Sequence, residues 1–124
     1  MLKMRIVTDR QELSSFAKKY GVADREGLCL YLAENRGEPL GVCFYCFIDE
    51  GMEILYADAG GDTALLDGLI RAAMAALFDR ENDRVFFAET MDRQLLEKCR
   101  FITGDKLCIK SANVFFQTCK NCKN

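Results

Sequence analysis

Leu28 to Phe78 reads LCLYLAENRGEPLGVCFYCFIDEGMEILYADAGGDTALLDGLIRAAMAALF, and the change of period within it sets the fold class. Leu28 to Glu34, Leu40 to Ile48 and Glu53 to Ala57 are β-rich runs. They are joined by two polar, Gly-containing turns, Asn35-Arg36-Gly37-Glu38 and Asp49-Glu50-Gly51, so they read as consecutive hairpins. The runs are nearly continuous in apolar residues, as expected for strands covered on both faces. From Asp62 to Asp79 the period becomes helical, with Leu65, Leu66, Leu69, Ile70, Ala73, Met74 and Leu77 tracing one broad apolar face.

Before this block, Lys3 to Val7 is a short β-prone run. Thr8 and Gln11 form a capping-box pattern that opens a helix with Leu13, Phe16, Ala17 and Tyr20 on one stripe. Gly21 reads as its stop. After the block, Asp83 to Glu89 reads as a strand and Met91 to Cys99 as a short helix. Leu107 to Thr118 reads as one or two last strands, with a break around Ser111-Ala112-Asn113. The expected order is β-α-β-β-β-α-β-α-β, an α/β (α+β) domain with a mixed, mainly antiparallel sheet and helices on both faces. One domain is expected over residues 1–118, followed by a flexible, cysteine-containing tail over 119–124.

The whole-chain totals narrow the function. The chain has 124 residues, half of them apolar and 29% charged, which is ordinary globular composition. Lys and Arg number 17 against 19 Asp and Glu. That balance lacks the basic field needed for non-specific nucleic-acid binding, so no nucleic acid is expected as a partner. The opening MLKMRIVTDRQEL is broken by Lys3 and Arg5 and does not read as a signal peptide. Ala64 to Phe78 is too short and too charged to span a bilayer, so no membrane association is expected. These readings place the protein in the cytoplasm, where its seven cysteines are expected to be reduced.

The order of elements resembles the GNAT N-acyltransferase superfamily. LYLAENRGEPLGVCFYCFID is similar to that family's central hairpin. ALLDGLIRAAMAAL is similar to the helix whose N-terminus receives the CoA pyrophosphate, and QLLEKCRF to its late helix. The resemblance implies an acetyl-CoA-dependent transfer to a small-molecule or protein amine. It also implies a cofactor loop at Ala57, Ala59, Gly60, Gly61, Asp62, Thr63 and Ala64. Free N–H groups and the helix dipole favour phosphate at such a place. The family pattern is Arg or Gln-x-x-Gly-x-Gly or Ala. Here Ala57 stands at the Arg or Gln position and Asp62 at the last small residue, where it can cap the helix and repel phosphate. The alternative for Gly60-Gly61-Asp62 is a tight turn plus a helix cap.

Many family members carry a Tyr general acid on the late helix, and Leu96 occupies that register. A general base could be Glu53 or Glu89, both read as strand-end carboxylates; the alternative is that each is merely solvated. Tyr31, Tyr45 and Tyr56, on adjacent expected strands, are either pocket-lining or core. Cys43 and Cys46 lie three apart in a strand and so point to opposite faces, as small buried hydrophobes. Cys119 and Cys122 read as part of an inert exposed tail, the alternative being a redox-active or disulfide-forming pair. A zinc site there would need Cys99 and Cys108 in an unfamiliar spacing, so no metal is assigned. The rival to an enzyme is a catalytically inactive GNAT-like module for partner binding or dimerisation, and a homodimer is compatible with either.

Overall fold

The computed structural model describes residues 2–102 and 106–122, with side chains as far as Gln117. Strand β1 (Leu2–Ile6) leads into helix α1 (Arg10–Tyr20). Asp9, not Thr8, caps α1: its carboxylate accepts the Gln11 and Glu12 N–H groups. Both residue types can cap, so local sequence left a one-residue ambiguity. Gly21 ends the helix at φ 71°, in the left-handed region. Strands β2 (Leu28–Asn35), β3 (Glu38–Ile48) and β4 (Gly51–Asp58) form the expected antiparallel meander. Arg36 and Gly37, both at positive φ, make the first turn.

Helix α2 (Thr63–Met74) ends in a 3-10 turn, Ala75–Leu77. Strand β5 (Arg84–Phe87) then pairs parallel to β4, helix α3 (Arg93–Lys98) follows, and β6 (Cys108–Ile109) pairs antiparallel to β5. The six strands lie in sequence order across one mixed sheet.

The last expected strands are overturned. Only Cys108 and Ile109 are extended, and helix α4 (Ala112–Cys122) closes the fold, giving the order β-α-β-β-β-α-β-α-β-α. Asp83 anchors the start of α4. Its carboxylate accepts the Ser111 hydroxyl at 2.7 Å, the Asn113 N–H at 3.1 Å and the Asn113 side-chain amide at 2.7 Å. The Ser111 Oγ in turn accepts the Val114 N–H. Phe115 stacks on Phe101 at 5.6 Å between centroids, Phe116 meets Phe78 edge-on, and the Arg71 guanidinium lies over both Phe101 and Phe115.

Partial desolvation works to raise the Asp83 pKa, but the Ser111 and Asn113 hydrogen bonds outweigh it and hold it below 3.8. A depressed carboxylate stabilises the fold above its unfolded pKa and loses that contribution as pH falls. Asp83→Ala is therefore expected to cost about 1–2 kcal/mol in denaturant titrations at pH 7. The gap between variant and wild type should close as the pH drops below 3.8. A constant gap across that range would contradict the anchor.

The two faces of the sheet are covered unequally. On one, Leu66, Leu69, Ile70, Ala73 and Met74 of α2 pack with Leu96 and Ala112 over Cys43, Tyr45, Met52, Ile54, Val85 and Phe87. On the other, α1 alone places Leu13 and Ala17 over Leu28, Leu30, Leu32, Val42 and Phe44. Helix α1 covers the β1–β4 half of that face, and a cleft lies at the β4–β6 half.

Candidate active site

Strands β4 and β5 run together only from Gly51–Ile54 against Arg84–Phe87. Their last link is the Ala88 N–H donating to the Ile54 carbonyl at 2.9 Å. There β4 bulges: Phe44 faces Tyr56 and Tyr45 faces Ile54, leaving Leu55 as the extra residue. A bulge bends and twists its strand. Beyond it, Leu55 to Asp58 have no β5 partner among the described residues, so the two parallel strands open into a wedge.

A cleft of about 780 Å³ runs beside the paired stretch of β4 and β5 and the loop that follows β5, lined by Glu50, Glu53, Phe86, Ala88, Glu89 and Met91 among others. The two candidate bases, 36 residues apart in sequence, thus line the same cleft. Their settings differ. Glu53 is half-buried on the alternating face of β4, and its Oε1 lies 3.4 Å from Arg25 Nη2. Glu89 lies beyond the end of β5, which stops at Phe87, and is exposed. It is a loop residue and not the strand-end residue expected. Arg25 also donates to Cys46 Sγ at 2.8 Å, so Cys46, although buried, is held by a charged neighbour and is more than an apolar filler. Arg25 comes from the connection between α1 and β2, and no local pattern marked it. Only the register that sets Cys46 against Glu53 shows the link. Cys43, on the other face, is fully buried, and burial pushes its thiol up to about 12.

The loop after β4 is built largely from its own contacts. Gly60 and Gly61 take φ values of 61° and 91°, a region glycine enters without steric cost. Asp58 Oδ1 accepts the Gly60 N–H at 2.9 Å, and Asp62 Oδ1 accepts the Leu65 N–H at 3.0 Å. Asp62 is thus the α2 cap. The N–H groups of Gly61, Thr63 and Ala64 have no internal acceptor among the described residues. Ala57, Asp58, Ala59, Gly61, Asp62 and Thr63 line a hollow of about 70 Å³ with Leu66 and Leu95. Asp58, which no local motif marks, adds a second carboxylate beside Asp62.

Leu96 is buried in the core, so no acid stands at its position. The tyrosines do not converge. Tyr31 and Tyr45 lie on the α2 face, whereas Tyr56 packs against Tyr20 and Phe44 and donates to Asp58 at 3.3 Å. Among the described residues, no three His, Cys, Asp or Glu side chains come together as metal ligands, and no helix is long and apolar enough to cross a membrane.

No family model matches the chain, and no curated protein matches it in sequence. Solved structures do match. One is a ribosomal-protein-alanine N-acetyltransferase from Brucella melitensis biovar Abortus 2308, at 11% identity and a TM-score of 0.64, covering 85% of this chain and 94% of that one. Another is an aminoglycoside acetyltransferase from an uncultured soil metagenomic sample, solved with sisomicin, at 14% identity and 0.60, covering 85% and 90%. A third is a Bacillus subtilis acetyltransferase in complex with CoA, at 16% identity and 0.55, covering 80% and 75%. With its splayed parallel strands and covered mixed sheet, this chain has the GNAT fold.

Proposed function

We propose that the chain is an acetyl-CoA-dependent N-acetyltransferase whose acceptor is a small-molecule or protein amine. The observation carrying this reading is the meeting of Glu53 and Glu89 in one cleft beside the paired stretch of β4 and β5. In this mechanism the thioester lies along the unpartnered half of β4, with its carbonyl at the bulge around Leu55, the part of that half nearest Glu53. Its pyrophosphate lies on the free N–H groups of Gly61, Thr63 and Ala64. Glu53 accepts a proton from the acceptor ammonium, and the freed amine attacks the thioester carbonyl. The tetrahedral adduct then collapses to the amide as the C–S bond breaks. A thiol has a reference pKa of about 8.5, so the thiolate can leave unprotonated and then take up, through water, the proton that the new amide nitrogen sheds, without a tyrosine at position 96. Positioning supplies most of the rate. The five cysteines with described side chains are free thiols, which suits the cytoplasm.

A second reading has its own observation. Asp58 and Asp62 occupy loop amides and set two negative charges beside the phosphate position. That favours a GNAT-like module which has lost its cofactor and binds a partner instead.

Calorimetry with acetyl-CoA separates the two. The enzyme reading expects binding and a rise in Tm, because a ligand held only by the folded state stabilises it. Asp62→Gly should tighten binding about five-fold by removing roughly 1 kcal/mol of repulsion. It should cost only a few tenths of a kcal/mol in capping. No stabilisation at millimolar acetyl-CoA leaves the partner-binding reading in possession. Unchanged or weaker binding by Asp62→Gly overturns the assignment of the loop.

A further inference from the structure

We infer that β1 is the seam of a homodimer, in which two copies join edge to edge into one continuous sheet. This stands independently of the acetyltransferase reading.

Strand β1 lies at the end of the sheet and, among the described residues, pairs only with β2. The alternation along it can be assigned. The Val7 N–H donates to the Leu30 carbonyl, so Val7, Arg5 and Lys3 turn their backbone groups toward β2. Leu2, Met4 and Ile6 therefore turn theirs outward. These same three residues share the face of the sheet that carries Tyr31 and Ala33, and they are 51%, 36% and 52% exposed. An edge with open hydrogen-bonding groups and a row of apolar side chains is a template for another strand.

A second copy fits this edge in one register. Outward-facing residues must pair with outward-facing residues, and a two-fold axis at Met4 uses all of them: Met4 against Met4 of the other copy, Leu2 against Ile6, Ile6 against Leu2. Every outward N–H and C=O then finds an acceptor or donor, and the apolar side chains form a cross-strand row. The same register sets Lys3 opposite Arg5, which would repel if Arg5 were free. It is not free. Arg5 donates to Glu34 at 2.9 Å and to Glu12 at 2.8 Å, so this cluster sets one arginine against two glutamates, a net negative charge. Lys3 is exposed, stands across from Glu34 of its own copy and forms no ion pair among the described residues, so the charge of the Arg5 cluster is open to a lysine from either copy. In the dimer each Lys3 faces the other copy's negative cluster. That complementarity favours self-pairing over an unrelated strand.

The test is light scattering across the micromolar range on wild type, Met4→Pro and Lys3→Glu. Proline at position 4 removes an N–H that points away from β2, so it blocks the seam and leaves the β1–β2 ladder whole. Wild type should have the mass of two chains. Met4→Pro should have the mass of one, with an unchanged circular dichroism spectrum. Lys3→Glu should weaken the dimer at least ten-fold. A single-chain mass for wild type throughout overturns the proposal, including the outcome in which the edge serves an unrelated strand. A folded Met4→Pro that is still dimeric also overturns it. Should Met4→Pro not fold, Lys3→Glu decides alone: an unchanged dissociation constant overturns the seam, and the ten-fold loss supports it.

Discussion

Gly51→Ala is expected to destabilise the protein by about 3 kcal/mol or more, a shift of roughly 10 °C in Tm. Gly51 opens β4 at φ 148°, a conformation that side-chain-bearing residues rarely adopt. A Cβ there would sit 2.1 Å from the Arg84 carbonyl oxygen and 2.7 Å from the Arg84 nitrogen. Both are backbone atoms, and the Arg84 N–H donates to the Glu50 carbonyl beside them, so no side chain can swing aside. The strain and the clash fall together where the parallel pairing begins. Gly60→Ala is the control. Its φ of 61° is also unusual, but nothing lies within 4 Å of the added carbon, so it should cost about 1 kcal/mol. Equal thermal shifts for the two variants would show that the β4–β5 contact is not the cause.

On the acetyltransferase reading, the largest effect on activity is expected from Glu53→Gln. A positioned general base contributes about 10²–10⁴-fold, and glutamine keeps the shape of the side chain while giving up proton acceptance. The turnover number should fall by about that factor, with little change in KM for acetyl-CoA, because Glu53 lies in the cleft and away from the loop. Glu89→Gln should lose less than about ten-fold, since Glu89 sits exposed on a loop and not on a strand. The measurement is thiol release from acetyl-CoA with a panel of amines. A Glu89→Gln loss as large as that of Glu53→Gln would move the base to the loop residue.

The meander and helices α1 and α2 were legible because their side chains report a period. Leu13, Ala17, Leu66, Leu69, Ile70 and Ala73 repeat at helical spacing and are buried as that spacing requires. Helix α4 was not legible. Val114, Phe115 and Phe116 are strand-prone residues, and the helix they form depends on Asp83, some 30 residues earlier in the chain, and on aromatic packing against Phe101 and Phe78. The candidate site divides in the same way. Asp62 as a cap is a local signal, and the structure has it in that role. The gathering of Glu53 and Glu89 in one cleft, the Arg25 contact and the part played by Asp58 come from strand register or from loop geometry, which no run of residues encodes.

The wedge also orders events as the chain grows. The β2–β3 and β3–β4 pairings join segments close in sequence, so those loops close at low entropic cost, whereas β1 reaches β2 across α1. The parallel step from β4 to β5 must wait for α2 to be made and to pack across the sheet. A chain emerging N-terminus first can therefore hold its β2–β4 meander early. It has no cleft until Phe87 has emerged and found Ile54. During synthesis the scaffold precedes the site, and the last strands and α4 are added onto a sheet that already exists.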